Sequence, residues 1–71
     1  MIKNTENEII LTKREIEVLK LISQGFTAKE VSLKLYIADT TVIYHKNKIR
    51  EKFNVKNTAE LISKAYELKM L

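Results

Sequence analysis

The chain has 71 residues, no cysteine and one histidine, His45. Disulfides, thiolate metal sites and His-rich metal sites are therefore excluded, and the length provides for one small domain with a marginal core. An apolar fraction of 45% beside 31% charged residues is that of a globular domain rather than a disordered tail. The apolar runs are far shorter than the roughly 20 residues that span a bilayer, and no signal-peptide core is visible, which points to a cytoplasmic protein. One glycine and no proline favour helices joined by short turns. The net charge of +4 is unevenly spread: residues 39–56 carry Lys46, Lys48, Arg50, Lys52 and Lys56 against Asp39 and Glu51. A segment that basic is either a solvated helix face or a surface for phosphates.

Residues 1–10 are expected to form a flexible N-terminal arm, leaving 11–71 as the folded domain. The first helix opens at Thr12, where Thr-x-x-Glu with Glu15 is a capping box. Ile16, Leu19 and Ile22, widened by Val18, make its apolar stripe, and Gly25 ends it. A second box, Thr27 with Glu30, starts a short helix to about Leu35, with Val31 and Leu35 inward. Tyr36, Ile37 and Ala38 form the turn. A third helix runs from Asp39 or Thr40 to Phe53, with Val42, Ile49 and Phe53 on one side and Asn54 as its stop. Asn57 and Glu60 supply a third box for a helix to about Leu68. The prediction is an all-α fold of four helices.

The second and third helices, joined by a short turn, match the helix-turn-helix plan. Opposite the apolar side of the third helix lie Thr40, Ile43, Tyr44, Asn47, Lys48 and Glu51. Ile43, Tyr44 and Asn47 are the candidates for reading base edges in a major groove, where amides pair with adenine and apolar groups meet thymine methyls. The competing reading is that Ile43 and Tyr44 complete a core or an interface. Lys48, Arg50 and Lys52 are candidate phosphate contacts, as against merely solvated charges. Thr40 and Thr41 combine a helix-start position with a candidate phosphate hydrogen bond. His45 has packing and a phosphate hydrogen bond as its two readings. Arg14 has an ion pair with Glu30 or, like Lys13, a backbone phosphate.

Leu11-Thr12-Lys13-Arg14-Glu15-Ile16-Glu17-Val18-Leu19 resembles the opening signature of LuxR-type DNA-binding domains, Leu-Thr-x-Arg-Glu-x-Glu-Val-Leu. Gly25, Lys29-Glu30-Val31-Ser32 and Leu35 are similar to that family's second helix. Thr41-Val42, His45, Ile49, Lys52 and Val55 resemble its third helix and the turn after it, so the likeness runs over about residues 11–65. It implies a four-helix LuxR-type (LuxR/GerE/NarL) helix-turn-helix domain whose third helix enters the major groove and whose fourth mediates dimerisation. Relatives mostly append this domain to a receiver or ligand-binding domain. A chain this short is closest in plan to free-standing GerE-like regulators. Four positions depart from the pattern, one of them Phe53 in place of the frequent Leu, a tolerable core swap. Ala38 stands where the family usually has a Ser or Thr cap, with Asp39 available to take over. Ile43 stands where a basic residue is common. Lys46 stands at a more often apolar site, from which its ammonium can snorkel out to a phosphate.

In the fourth helix Leu61, Leu68, Ala65, Ile62, Tyr66 and Ala59 span an apolar arc wider than one core-facing stripe. Leu61, Tyr66 and Leu68 are the candidate dimerisation residues, with a second copy as the economical partner. No nucleophile–base pair, paired-carboxylate constellation or phosphate-binding glycine loop is present, so neither catalytic residues nor a cofactor nor a metal is expected. The function expected is that of a transcription regulator acting on double-stranded DNA as a homodimer, with RNA polymerase as a further partner. The alternative is an interaction module that heterodimerises with larger LuxR-type regulators and titrates them.

Overall fold

The computed structural model describes residues 9–71. Four α-helices follow one another, α1 (Lys13–Ser23), α2 (Ala28–Leu35), α3 (Asp39–Phe53) and α4 (Thr58–Glu67), with no strand among the described residues. The arm expected over residues 1–10 lies outside the described residues up to residue 8. Of the remaining two, Ile9 packs against the core and the Ile10 carbonyl accepts a hydrogen bond from Lys52.

Local chemistry sets most of the boundaries. Thr12 and Thr27 each accept from the backbone N–H three residues on, and Glu15 and Glu30 accept from the two cap N–H groups at 2.9 and 2.8 Å. Both boxes therefore satisfy two orphan donors apiece. The third is only half a box. Asn57 accepts from the Glu60 N–H, but the Glu60 carboxylate turns to the N–H of Lys56, one residue before the cap. Gly25 ends α1 at φ 97°, a left-handed value that glycine adopts without steric cost. Asn54 closes α3 at φ 56°, and the Val55 N–H reaches back to the Arg50 carbonyl at 3.1 Å. Tyr36 closes α2 at φ 58°, a conformation that costs a non-glycine residue roughly 1–2 kcal/mol.

The core consists of Val18, Leu19 and Ile22 from α1, Val31 from α2, Val42, Ile49 and Phe53 from α3, and Leu61 and Ala65 from α4. The third helix packs on all three others and is the centre of the domain. Two inward positions differ from the expected pattern. Ile16 is exposed, and the fourth place on the buried stripe of α1 belongs to Glu15, only 5% exposed. Glu15, Val18, Leu19 and Ile22 are spaced i, i+3, i+4, i+7, the spacing of one helix face. In α2 the buried neighbour of Val31 is Ser32, while Leu35 is half-buried.

A buried carboxylate needs a partner. Glu15 has Lys52, whose Nζ lies 2.7 Å from its Oε1 and also donates to the Ile10 carbonyl at 3.1 Å. One ammonium thus joins α3 to α1 and to the strand of chain leading into α1. Burial alone raises the pKa of the Glu15 carboxyl. The hydrogen bonds from Lys52 and from the Thr12 backbone, with the charge of Lys52, outweigh it and hold the group below its ordinary value.

A depressed carboxyl pKa fixes the sign of the pH effect. The pair contributes its full stability above the ordinary carboxylate pKa, and that contribution is lost as pH falls through the lower, folded value. Thermal denaturation of Glu15→Gln should therefore show a loss of stability at pH 7 that shrinks toward pH 3. Lys52→Met should cost about 1–2 kcal/mol, less than the 3–5 of a fully buried pair, because the lysine is a third exposed.

Candidate nucleic-acid interface

The turn between α2 and α3 is held by a short polar relay. The buried Ser32 hydroxyl lies 2.6 Å from the Lys29 carbonyl and 2.8 Å from Asp39 Oδ1, so one side chain ties α2 to the first residue of α3. The Ile37 N–H donates to the Ser32 carbonyl at 3.1 Å and closes the turn. Ala38 is the N-cap of α3 and makes no side-chain capping bond. The expected substitute, Asp39, serves as a first-turn carboxylate facing Ser32 and favourable to the helix dipole. The first turn of α3 consequently begins without the roughly 1 kcal/mol that a Ser or Thr cap supplies.

With Val42, Ile49 and Phe53 fully buried, the opposite side of α3 faces outward. Ile43 is 48% and Tyr44 57% exposed, so neither completes the core. Asn47 and Thr40 are exposed, and Thr41 and Lys46 are half-buried. The Lys48 ammonium lies 5.7 Å from the Tyr44 ring centroid and 3.7 Å from Glu51 Oε1, both on its own helix. A pair that exposed is worth little and leaves the charge free to meet an incoming anion. His45 is half-buried with its ring edge-on to Tyr44, centroids 5.7 Å apart.

Two of the basic candidates are engaged within the chain. Lys52 points to Glu15 and Ile10, as described. Arg50 donates through Nη1 to the Lys56 carbonyl at 3.1 Å and through Nη2 to Oδ1 of Asn47. Its Nε is buried without a partner among the described residues. Arg50, Asn47, Glu51, Asn54 and Val55 line a shallow open concavity of about 440 Å³ at the C-terminal end of the outward face. Arg14 pairs with Glu17 at 3.1 Å rather than with Glu30, whose carboxylate is the α2 cap.

In α4 the helix is turned so that Leu61 and Ala65 are fully buried. Leu61 therefore belongs to the core and leaves the set of candidate dimerisation residues. The wheel alone places it at one edge of a wide arc, and the packing of α4 on α3 takes that edge into the core. Tyr66 is 58% exposed, one turn from half-buried Ile62, and Leu68, the C-cap residue on the side of Leu61, is 42% exposed. The Lys64 ammonium reaches across to the Phe53 carbonyl at 3.1 Å and satisfies a C-terminal acceptor of α3.

Sequence patterning missed Glu15 and the tethering of Lys52 and Arg50. The signal for Glu15 was its place on the stripe of Val18, Leu19 and Ile22. For Lys52 it was its position between the buried Ile49 and Phe53. Among the described residues no helix is long and apolar enough to cross a membrane.

A short helix, a tight turn and a longer helix with a polar, cationic outer face define a helix-turn-helix domain of the kind that docks on duplex DNA. Residues 9–65 match the family described as bacterial regulatory proteins, luxR family, and the chain belongs to that family of DNA-binding transcription regulators. The chain is 44% identical over 62 residues to the oxygen regulatory protein NreC of Staphylococcus carnosus (strain TM300), covering 87% of this chain and 29% of that protein. Against NreC of Staphylococcus epidermidis (strain ATCC 12228 / FDA PCI 1200) the identity is 42%, covering 87% and 28%. The crystal structure of the response regulator ChrA, of a heme-sensing two-component system, superposes with a TM-score of 0.83 at 32% identity, covering 87% of this chain and 31% of that one. The chain thus spans less than a third of the length of these relatives.

Proposed function

We propose that the domain docks α3 in the major groove of a promoter, with Ile43, Tyr44 and Asn47 toward the base edges. Thr40, Thr41, Lys46 and Lys48 face the phosphates. One observation carries this reading: α3 exposes a contiguous row of apolar, amide and cationic groups on the side opposite fully buried Val42, Ile49 and Phe53. A helix whose polar face were merely solvated would have no use for Ile43 and Tyr44 at half exposure. Lys52 and Arg50 take supporting roles in this assignment, since each is hydrogen-bonded to other parts of the chain. Such a protein acts in the cytoplasm, where promoter DNA lies.

The test is electrophoretic mobility shift against random and promoter duplexes over a salt series. Each lost phosphate contact reduces the log–log salt slope by about 0.9. Lys48→Ala should lower the slope by that amount and leave thermal stability near wild type. Lys52→Ala should do the reverse. A Lys48→Ala protein with unchanged affinity and slope overturns the docking arrangement.

We further propose that two copies pair through the outward face of α4. Exposed Tyr66, one turn from half-buried Ile62, supports this, and pairing would add apolar burial to a marginal core. A two-fold axis would set the two α3 helices about 34 Å apart, matching half-sites about 10 bp apart centre to centre. Tyr66→Glu should sediment as a folded monomer with much weaker binding to a palindromic duplex, because a charge in the seam is buried unpaired. Leu61→Glu should instead unfold the domain. A wild-type protein that stays monomeric at micromolar concentration both alone and on the duplex contradicts the pairing.

A further inference from the structure

The Arg50 guanidinium contains only donors, which settles which way the Asn47 amide points. Its Nη2 bonds to Asn47 Oδ1, and a flipped amide would set two donors against each other. The guanidinium is itself held from the other side. Its Nη1 donates to the Lys56 carbonyl at 3.1 Å, in the connection between α3 and α4. Arg50 is thus a fixed bracket, three residues along the helix from Asn47, rather than a free surface cation.

The amide that it orients lies on the exposed face of α3, in the row with Ile43 and Tyr44. With its oxygen drawn to Arg50, the side chain leads outward with Nδ2 and two N–H donors. A bidentate contact to adenine needs Oδ1 to accept from N6 while Nδ2 donates to N7. An oxygen already engaged by a guanidinium is the weaker acceptor for that task, and its direction is set by Arg50. Guanine presents two adjacent acceptors in the major groove, N7 and O6, and no donor there. We infer that Arg50 is a positioning residue that turns the Asn47 amide donor-first, so that this position of α3 selects guanine over adenine. The inference rests on the proposed major-groove docking and goes beyond it by assigning the base and the residue that determines the choice.

Selection of bound sequences from a randomised duplex pool tests it, using the 71-residue chain and its Asn47→Ala, Arg50→Met and Arg50→Lys variants. Wild type should enrich a guanine at one position of each half-site, and Asn47→Ala should lose that preference alone. Arg50→Met frees Oδ1 and should shift the guanine-to-adenine affinity ratio at that position about tenfold toward adenine. Arg50→Lys keeps a donor and should keep guanine. A residue that only supports the fold would weaken binding to all sequences alike, so uniform weakening by Arg50→Met overturns the inference. An adenine at the Asn47-dependent position of the wild-type site overturns it as well, and that result decides the matter even if Arg50→Met does not fold. A wild-type chain that enriches no sequence removes the docking arrangement itself, and the inference with it. Enrichment that is indifferent to Asn47 and Arg50 removes the inference alone.

Discussion

Val42, Ile49 and Phe53 lie along one side of α3 without any solvent exposure, and α3 packs on each of the other three helices. Its rotation about its own axis is therefore fixed by close packing: turning it would expose three large apolar groups, each worth about 1.5–3 kcal/mol on burial. The identity of the outward residues follows from that constraint. Thr40, Ile43, Tyr44, Asn47 and Lys48 are presented because their helical opposites are buried, and the site needs no moving part to appear. The Lys52–Glu15 pair adds a polar bolt to the same helix, from a residue beside Phe53 to the buried face of α1.

The charges of α3 divide by what they touch. Among the described residues Lys48 has only weak, exposed neighbours on its own helix, Glu51 and the Tyr44 ring. Lys52 and Arg50 are tethered to carbonyls and side chains of other segments. A basic segment thus serves two purposes. In the proposed docking, part of its charge steers an anionic partner, and part holds the helix and the connection after it in place. In that docking, a count of cations along the chain therefore exceeds the number of phosphate contacts.

The fold was legible in the sequence wherever the causes are local. Thr12 with Glu15, and Thr27 with Glu30, lie three residues apart, and Gly25 and Asn54 meet demands of single backbone positions. The family pattern added the docking helix. What was not legible depends on distant partners. Glu15 reads as a capping residue, and its burial requires Lys52, 37 positions away. Periodicity places Ile16 inward because it favours apolar residues, although the true stripe includes the carboxylate beside it. Leu61 was one edge of a wide arc on α4, and only the packing of that helix on α3 decides which edge faces in. Asn47 reads as a candidate for base edges, but the orientation of its amide depends on Arg50 and, through it, on the Lys56 carbonyl.

The outward face of α3 is the proposed DNA surface. Titrating a duplex that carries the selected site into the 15N-labelled chain, and following its backbone amide resonances, tests it most directly. The large shifts should fall on Thr40, Thr41, Ile43, Tyr44, Asn47 and Lys48. The amides of Val18, Leu19 and Ile22 in α1 should change little. Shifts centred on α1 or on the core-facing turns of α4, with the α3 row unmoved, would contradict it.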